Sequence, residues 1–583
     1  MSRLPEILLA AAVILLSACA RQSHRKVIVI GVDGMDPGFV ERHWADLPNL
    51  DRLRREGSFQ RLATTTPPQS PVAWSTFITG LDPGDHGIFD FVHRDPATHE
   101  PFLSTDRTVE PRFALPLGKY RLPLTSPHIE SLRKGEPFWG KLADRGVPVT
   151  IVRIPVNYPP SSVGNEISGM GTPDLRGTQG TFTYYTDSSD ESSHRVSGGI
   201  VRKVRVADHH VALRLEGPPN TLLRGQEYAA VTLDADIDPE RPVARIAAGE
   251  TLTVLRQGEW SDWIPLRFPL IPHIATAYGM VRVYAKQLHP GFELYVSPVN
   301  VDPNNPALPI SAPKGFAPRM GRFSTLGIAE DTSALRQDVL THAEFLAQSR
   351  LVLNDEIHLL SRTLDNYRDG FLFFYFSTVD QNSHILWGKY DSELLAFYQA
   401  VDASIGEVRR REPDAGLVVM SDHGFSTFNR AVNLNTWLLE QGLLARDANG
   451  EIDWVNTKAW AIGLNALYLS GADPGDITQR LLSLRDPESN STVIESVTKV
   501  KAAPDNRAVA PDLEIGYAPG YRASWETGLG EIPLTVFETN RDAWIADHCI
   551  SADRVPGVLF LSPGLTAPNP SLKNLSSAIL SLY

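Results

Sequence analysis

Three continuous apolar runs in this 583-residue chain each end on an aspartate. Lys26–Val32 (KVIVIGV) runs into Asp33, Phe371–Val379 (FLFFYFSTV) into Asp380, and Leu417–Ser421 (LVVMS) into Asp422. A run that is apolar at every position, rather than at alternate ones, is buried on both faces, as parallel strands covered by helices are. In an open α/β sheet ligands lie beyond the carboxyl ends of the strands, so the three aspartates are expected on one rim. Two histidines accompany them: His384, four residues after Asp380, and His423, directly after Asp422. Carboxylate and imidazole donors in this mixture suit a pair of divalent metal ions. Each motif alone has a plainer reading. An Asp after a strand caps local backbone, Asp-x-x-x-His makes a polar pair on a helix, and Asp422–His423–Gly424 makes a tight turn. Their recurrence after three separate apolar runs favours convergence on one metal-dependent hydrolytic site.

A chain of this length exceeds one ordinary core, which predicts two or three domains. An apolar share of 42% against 21% charged residues describes a globular protein. The net charge of −13, with no basic stripe, argues against a nucleic-acid polymer as partner. No Walker-type loop is present, and no Gly-x-Gly-x-x-Gly run follows the first strand. Pro48–Gly57 reads as an amphipathic helix, residues 91–135 as a long surface excursion, Pro137–Gly146 as a helix and Val147–Pro155 as a strand. From about 186 to 318 the pattern changes to short, partly alternating segments (Gly199–Val206, His210–Leu215, Glu250–Leu255, Phe292–Val296) split by turns, which predicts an all-β insertion, a sandwich. Thr332–Asp365 and Ser392–Arg411 read as long helices, and Gly557–Leu561 as a final strand. The expected division is 1–19 as a leader, 25–185 and 330–583 as two parts of one α/β domain, and 186–318 as the insertion. The fold class is α/β, a mostly parallel central sheet with helices on both faces.

The leader has Arg3, then the apolar run Ile7–Leu16, well short of the ~20 residues that span a bilayer. It ends in Leu16–Ser17–Ala18–Cys19, which resembles a bacterial lipoprotein signal with Cys19 as the lipidated residue; a plain secretory signal is the alternative. Either implies export, and the first implies a membrane anchor at the cell envelope. Ala20, not Asp, follows Cys19, so outer-membrane sorting is expected where such a membrane exists. Cys549 would then be the one remaining thiol, excluding an intrachain disulfide.

Hydrolysis also needs a nucleophile, and Ser70 is placed for it, in a Pro-rich turn (PPQSP) before a run, Ala73–Gly80, that reads as a helix. A hydroxyl at a helix N-terminus sits where oxyanions and phosphate oxygens are favoured; the alternative job for a serine there is a helix cap. Gly31–Val32–Asp33–Gly34, the run from Pro67 to Phe91, Asp380-x-x-x-His384 and Ser421–Asp422–His423–Gly424 together resemble the alkaline phosphatase superfamily, nearest its type I phosphodiesterase and nucleotide pyrophosphatase branch. That resemblance implies Ser70 as nucleophile and metal ligand. It also implies Asp33, Asp422 and His423 as the other ligands of one ion. Asp380, His384 and a late histidine would hold the second, and His548 is the only histidine late in the chain. It implies two divalent ions, usually zinc.

The departures narrow the substrate. Nucleotide pyrophosphatases carry an Asn soon after a His-Gly-Ile run, whereas His86–Gly87–Ile88 is followed here by Phe89–Asp90–Phe91. Ser70–Pro71–Val72–Ala73–Trp74 lacks the Arg of the sulfatase motif. No Arg or Lys lies between Thr64 and Asp85, where a monoesterase would need a cation for its dianionic substrate. The expectation is therefore a phosphodiesterase acting on a small-molecule, lipid or glycan phosphoester. The alternatives are a phosphomonoesterase, an envelope transferase of phospho-headgroups using the same nucleophile, and a glycan-binding lipoprotein without activity.

Overall fold

The computed structural model describes residues 24–125, 127–189, 192–225, 227–305 and 310–583; the leader and Cys19 lie outside them. Eight strands form the central sheet: β1 (Val27–Val32), β2 (Ser58–Leu62), β3 (Val149–Val152), β4 (Asn165–Ile167), β5 (Ser311–Ala312), β6 (Phe371–Phe376), β7 (Gly416–Met420) and β8 (Gly557–Leu561). Their spatial order is β2-β8-β7-β1-β6-β3-β4-β5. The five central strands run parallel, and antiparallel strands close both edges. The sheet is thus mostly parallel, as the uninterrupted apolar runs require.

Strand periodicity divides β1 between two cores. Ile28, Ile30 and Val32 face one layer, together with Leu372, Phe374 and Phe376 of β6 and side chains from the helices His342–Asn366 and Asp391–Arg411. Val27 and Val29 face the other layer with Phe371, Phe373 and Tyr375, against Trp74 and Phe77 of the helix Ser70–Thr79 and Leu575 of the C-terminal helix Leu572–Leu580. All six residues of β6 are fully buried. At roughly 1.5–3 kcal/mol for each large apolar side chain, these central strands are the rigid base on which the rim is built.

Two expectations need correction. The run Phe371–Val379 is strand only to Phe376, and Thr378–Leu386 is a helix. Asp380 and His384 therefore share one helical face, one turn apart. Thr332–Asp365 is not one helix but two, Thr332–Arg336 and His342–Asn366. The chain breaks at Asp338, whose φ of 56° is left-handed, and restarts at a capping box in which Thr341 and Glu344 exchange side chain-to-backbone hydrogen bonds. The surface excursion 91–135 carries three two-stranded ribbons, pairing Val92–Arg94 with Pro101–Leu103, Asp106–Val109 with His128–Ser131, and Ala114–Leu117 with Tyr120–Pro123. Between Phe182 and Val301 the strands form sheets of five, four and three members, separate from the central one.

Candidate active site

The rim beyond β1, β6 and β7 collects two groups of buried donors. Asp33, directly after β1, meets Asp422 and His423, which follow β7 after Ser421; Asp380 and His384 meet His548. Within each group the ligand atoms lie within 4.8 Å of one another. Gly34 makes this convergence possible. Its φ of 64° turns the chain sharply after Asp33, and a Cβ there would lie 2.9 Å from Asp380 Oδ1 and 2.5 Å from the Phe425 ring.

The three imidazoles are oriented alike. His384 Nδ1 lies 2.8 Å from Ala546 O, His423 Nδ1 3.2 Å from Gly424 O, and His548 Nδ1 2.6 Å from Pro68 O. A carbonyl only accepts, so each Nδ1 carries the hydrogen, and in the neutral ring, the form that ligates a metal, each Nε2 keeps a lone pair. Those lone pairs face carboxylates. His423 Nε2 is 3.3 Å from Asp422 Oδ2 and 3.5 Å from Asp33 Oδ1, and His384 Nε2 is 3.5 Å from Asp380 Oδ2. Fixing one nitrogen by a backbone acceptor so that the other can ligate is how proteins hold metal-binding histidines.

Ser70 reaches the first group. Its Oγ lies 3.2 Å from Asp33 Oδ1 and 3.1 Å from His423 Nε2. It is the first residue of the helix Ser70–Thr79, and Gln69 is the N-cap. The helix thus begins earlier than expected, and the Ser70 side chain points to the donors rather than capping. Asp33 is held on its other side, its Oδ2 accepting from Trp74 Nε1 at 2.8 Å and from the Tyr375 hydroxyl at 2.5 Å.

The electrostatics describe a site short of positive charge. Asp33, Asp380 and Asp422 are buried, and the ionic partners of all three among the described residues are histidines. Burial, with Asp380 close by, pushes the Asp33 carboxyl up to about 8. Burial, with Asp33 and Asp380 close by, holds Asp422 well above the ordinary carboxylate range. Burial likewise depresses His423 and His548, which favours neutral imidazole. Asp380 Oδ1 and Asp422 Oδ2 are buried with no hydrogen-bond partner, one in each group. A buried carboxylate oxygen left unpaired is costly, and a divalent cation in each group would satisfy it. The donor set fits two hard-to-borderline ions.

Several site residues were not legible from sequence. Asp547, next to His548, accepts from the amides of His548 and Cys549 at 2.8 and 3.0 Å and from Trp544 Nε1 at 2.9 Å. Arg522, fully buried, pairs with it at 2.6 Å. These bonds set the loop that presents His548, while Trp544 stacks on His384 with ring centroids 3.7 Å apart. Asp90 accepts from Gln69 Nε2 at 3.0 Å and from the amides of Leu464 and Asn465, and burial pushes it up to about 6. It ties the Ser70 turn to a second segment of the chain.

A cavity of about 460 Å³ opens beside Asp380, His384 and His548, with Phe91, Leu464, Trp525 and Trp544 among its walls. Arg336 and Arg522 reach it from distant parts of the chain, so the absence of cations around Ser70 in sequence does not extend to the folded site. Both guanidinium groups have a carboxylate partner, although Arg522 Nη2 is buried without a hydrogen-bond acceptor. Arg336 pairs with Asp542 at 2.6 Å and Arg522 with Asp547, and each stacks on Trp525.

The model of the family described as type I phosphodiesterase / nucleotide pyrophosphatase matches residues 27–223 and 302–544. A search of curated proteins finds no match. Among solved structures, phosphonoacetate hydrolase from Sinorhizobium meliloti 1021 in complex with phosphonoformate is 12% identical, with a TM-score of 0.47 and 96% of each chain covered. Murine ectonucleotide pyrophosphatase / phosphodiesterase 5 is 11% identical, with a TM-score of 0.41, covering 96% of this chain and 95% of its own.

Proposed function

The chain belongs to the type I phosphodiesterase / nucleotide pyrophosphatase family of the alkaline phosphatase superfamily, and is a phosphoester hydrolase; we propose that it cleaves phosphodiesters with Ser70 as the nucleophile. The observation that carries this reading is the placement of Ser70 Oγ within 3.2 Å of both Asp33 and His423, at the N-terminus of a helix. Asp33, Asp422, His423 and Ser70 would hold one divalent ion, and Asp380, His384 and His548 a second, both zinc. Bound there, such ions supply the positive charge that lowers the pKa of a serine hydroxyl and neutralises phosphoryl oxygens.

In the proposed reaction Ser70 Oγ attacks phosphorus in line. A P–O bond to Ser70 forms as the P–O bond to the leaving alcohol breaks, and the serine proton leaves with that alcohol through solvent. Water then cleaves the phosphoseryl ester and restores Ser70. The helix N-terminus favours the anionic phosphoryl group throughout. The cavity supports a diester over a monoester. Its apolar walls have room for a second ester arm, and its two arginines already face the carboxylates of Asp542 and Asp547, which offsets the charge they offer a dianion. The test compares kcat/KM for an aryl phosphodiester with that for the matching aryl monoester. A clear diester preference is expected, and a monoester preference would make the protein a phosphatase.

We also propose, from the leader that ends in Leu16–Ser17–Ala18–Cys19, that the protein is exported and anchored at the cell envelope through a lipid on Cys19. Its substrate is then a small-molecule, lipid or glycan phosphoester. Lipid-precursor labelling of cells should mark the wild-type protein and not Cys19→Ser. Equal labelling of both, or of neither, would contradict anchoring through that residue.

A further inference from the structure

The ribbon Ala114–Leu117/Tyr120–Pro123 presents an apolar face to solvent. Its register pairs Leu115 with Leu122 and Leu117 with Tyr120, and Leu124 N bonds to Phe113 O, adding a third pair. Because side chains alternate along a strand, these six residues share one face. Four of them are more than half exposed: Phe113 at 72%, Leu115 at 56%, Leu117 at 62% and Leu124 at 62%. Single exposed apolar residues are ordinary, but a contiguous row of them marks an interaction site. Among the described residues the ribbon pairs with no larger sheet. It is braced instead by Arg121 N to Leu222 O at 2.8 Å and Arg224 N to Lys119 O at 3.1 Å, which matters because an isolated two-stranded ribbon is barely stable in water.

Charge identifies the partner. The chain as a whole is −13, yet residues 111–125 contain Arg112, Lys119 and Arg121 and no Asp or Glu. All three cations are exposed. We propose that this ribbon is a docking arm that inserts its apolar face into the interfacial layer of an anionic lipid bilayer. Apolar side chains flanked by Lys and Arg are the combination that such a surface holds, through burial and attraction to anionic headgroups together. A second copy of this chain fits poorly. The face is small beside the ~800 Å² per partner of a stable interface, whereas Arg121, paired with Pro116 on the opposite face, and Arg112 are left to meet anionic headgroups. The arm also leaves the body beside the cavity, since Ser104 N bonds to Phe91 O at 3.0 Å and Leu132 N to Thr105 O at 2.9 Å. The proposal does not depend on the hydrolytic reading.

The test uses the full chain carrying Leu117→Cys and Cys19→Ser, labelled at position 117 with an environment-sensitive thiol dye. Cys549 is buried and shielded from the dye. The labelled protein is first checked for an unchanged melting temperature. Vesicles of phosphatidylglycerol mixed with phosphatidylcholine should shift the dye emission to the blue, and pure phosphatidylcholine much less. Arg112→Gln with Lys119→Gln and Arg121→Gln should weaken the apparent vesicle affinity by roughly fivefold per charge removed. No shift with either vesicle, or an equal shift with both, overturns the proposal. A shift without vesicles that grows with protein concentration also overturns it, and identifies the face as a contact between copies.

Discussion

The imidazole rings of His423 and His548 lie face to face, with centroids 3.6 Å apart and planes 15° from parallel. One ring belongs to the group around Ser70 and the other to the group around Asp380, so this stack joins the two halves of the site. It also fixes their separation, because neither ring can turn without losing its backbone acceptor.

The first prediction concerns metal. Protein purified without chelator should contain close to two equivalents of divalent ion by elemental analysis. Chelation should lower the melting temperature, by roughly 2 °C for each site saturated about a hundredfold above its Kd, and zinc should restore it. A protein with no metal and a melting temperature indifferent to chelator would contradict the assignment of the two groups.

Arg522 and Asp547 form a buried ion pair. Removing one partner of such a pair costs about 3–5 kcal/mol, because the other is left charged and dry. Arg522→Met should therefore lower the urea midpoint strongly, and adding Asp547→Asn should recover part of the loss. Additive losses in the double variant would show that the two do not act as a pair.

Glu330 lines the cavity with both carboxylate oxygens unpaired. Burial, with Glu356 beside it, pushes its pKa from an ordinary 4.5 up to about 8. The folded state thus keeps a proton that the unfolded chain releases, and stability falls as pH rises from about 4.5 through 8. Glu330→Gln mimics the protonated form, so it should flatten this slope, matching wild type at pH 5 and melting higher at pH 8. Parallel wild-type and variant curves across that range would contradict the shift.

Asp33, Asp380, His384, Asp422 and His423 could be read from sequence because each follows an apolar strand by a few residues, and the sheet carries strand ends to one rim. Ser70 lies outside any such pattern, and its significance rested on a resemblance. His548 sits on an irregular loop whose position depends on Asp547, Arg522 and Trp544. Those contacts join distant segments and leave no local periodicity. The ribbons of 91–135 were missed for a related reason: strands of three or four residues are too short to show alternation. The break at Asp338 was missed because its neighbours keep helical spacing on both sides.

The central claim is that Ser70 is the nucleophile rather than a structural hydroxyl. It is tested most directly by kcat/KM of Ser70→Ala on an aryl phosphodiester, measured on protein with wild-type metal content and melting temperature. The account predicts a loss of about three orders of magnitude or more, as for removal of other covalent nucleophiles. Activity within tenfold of wild type would contradict it.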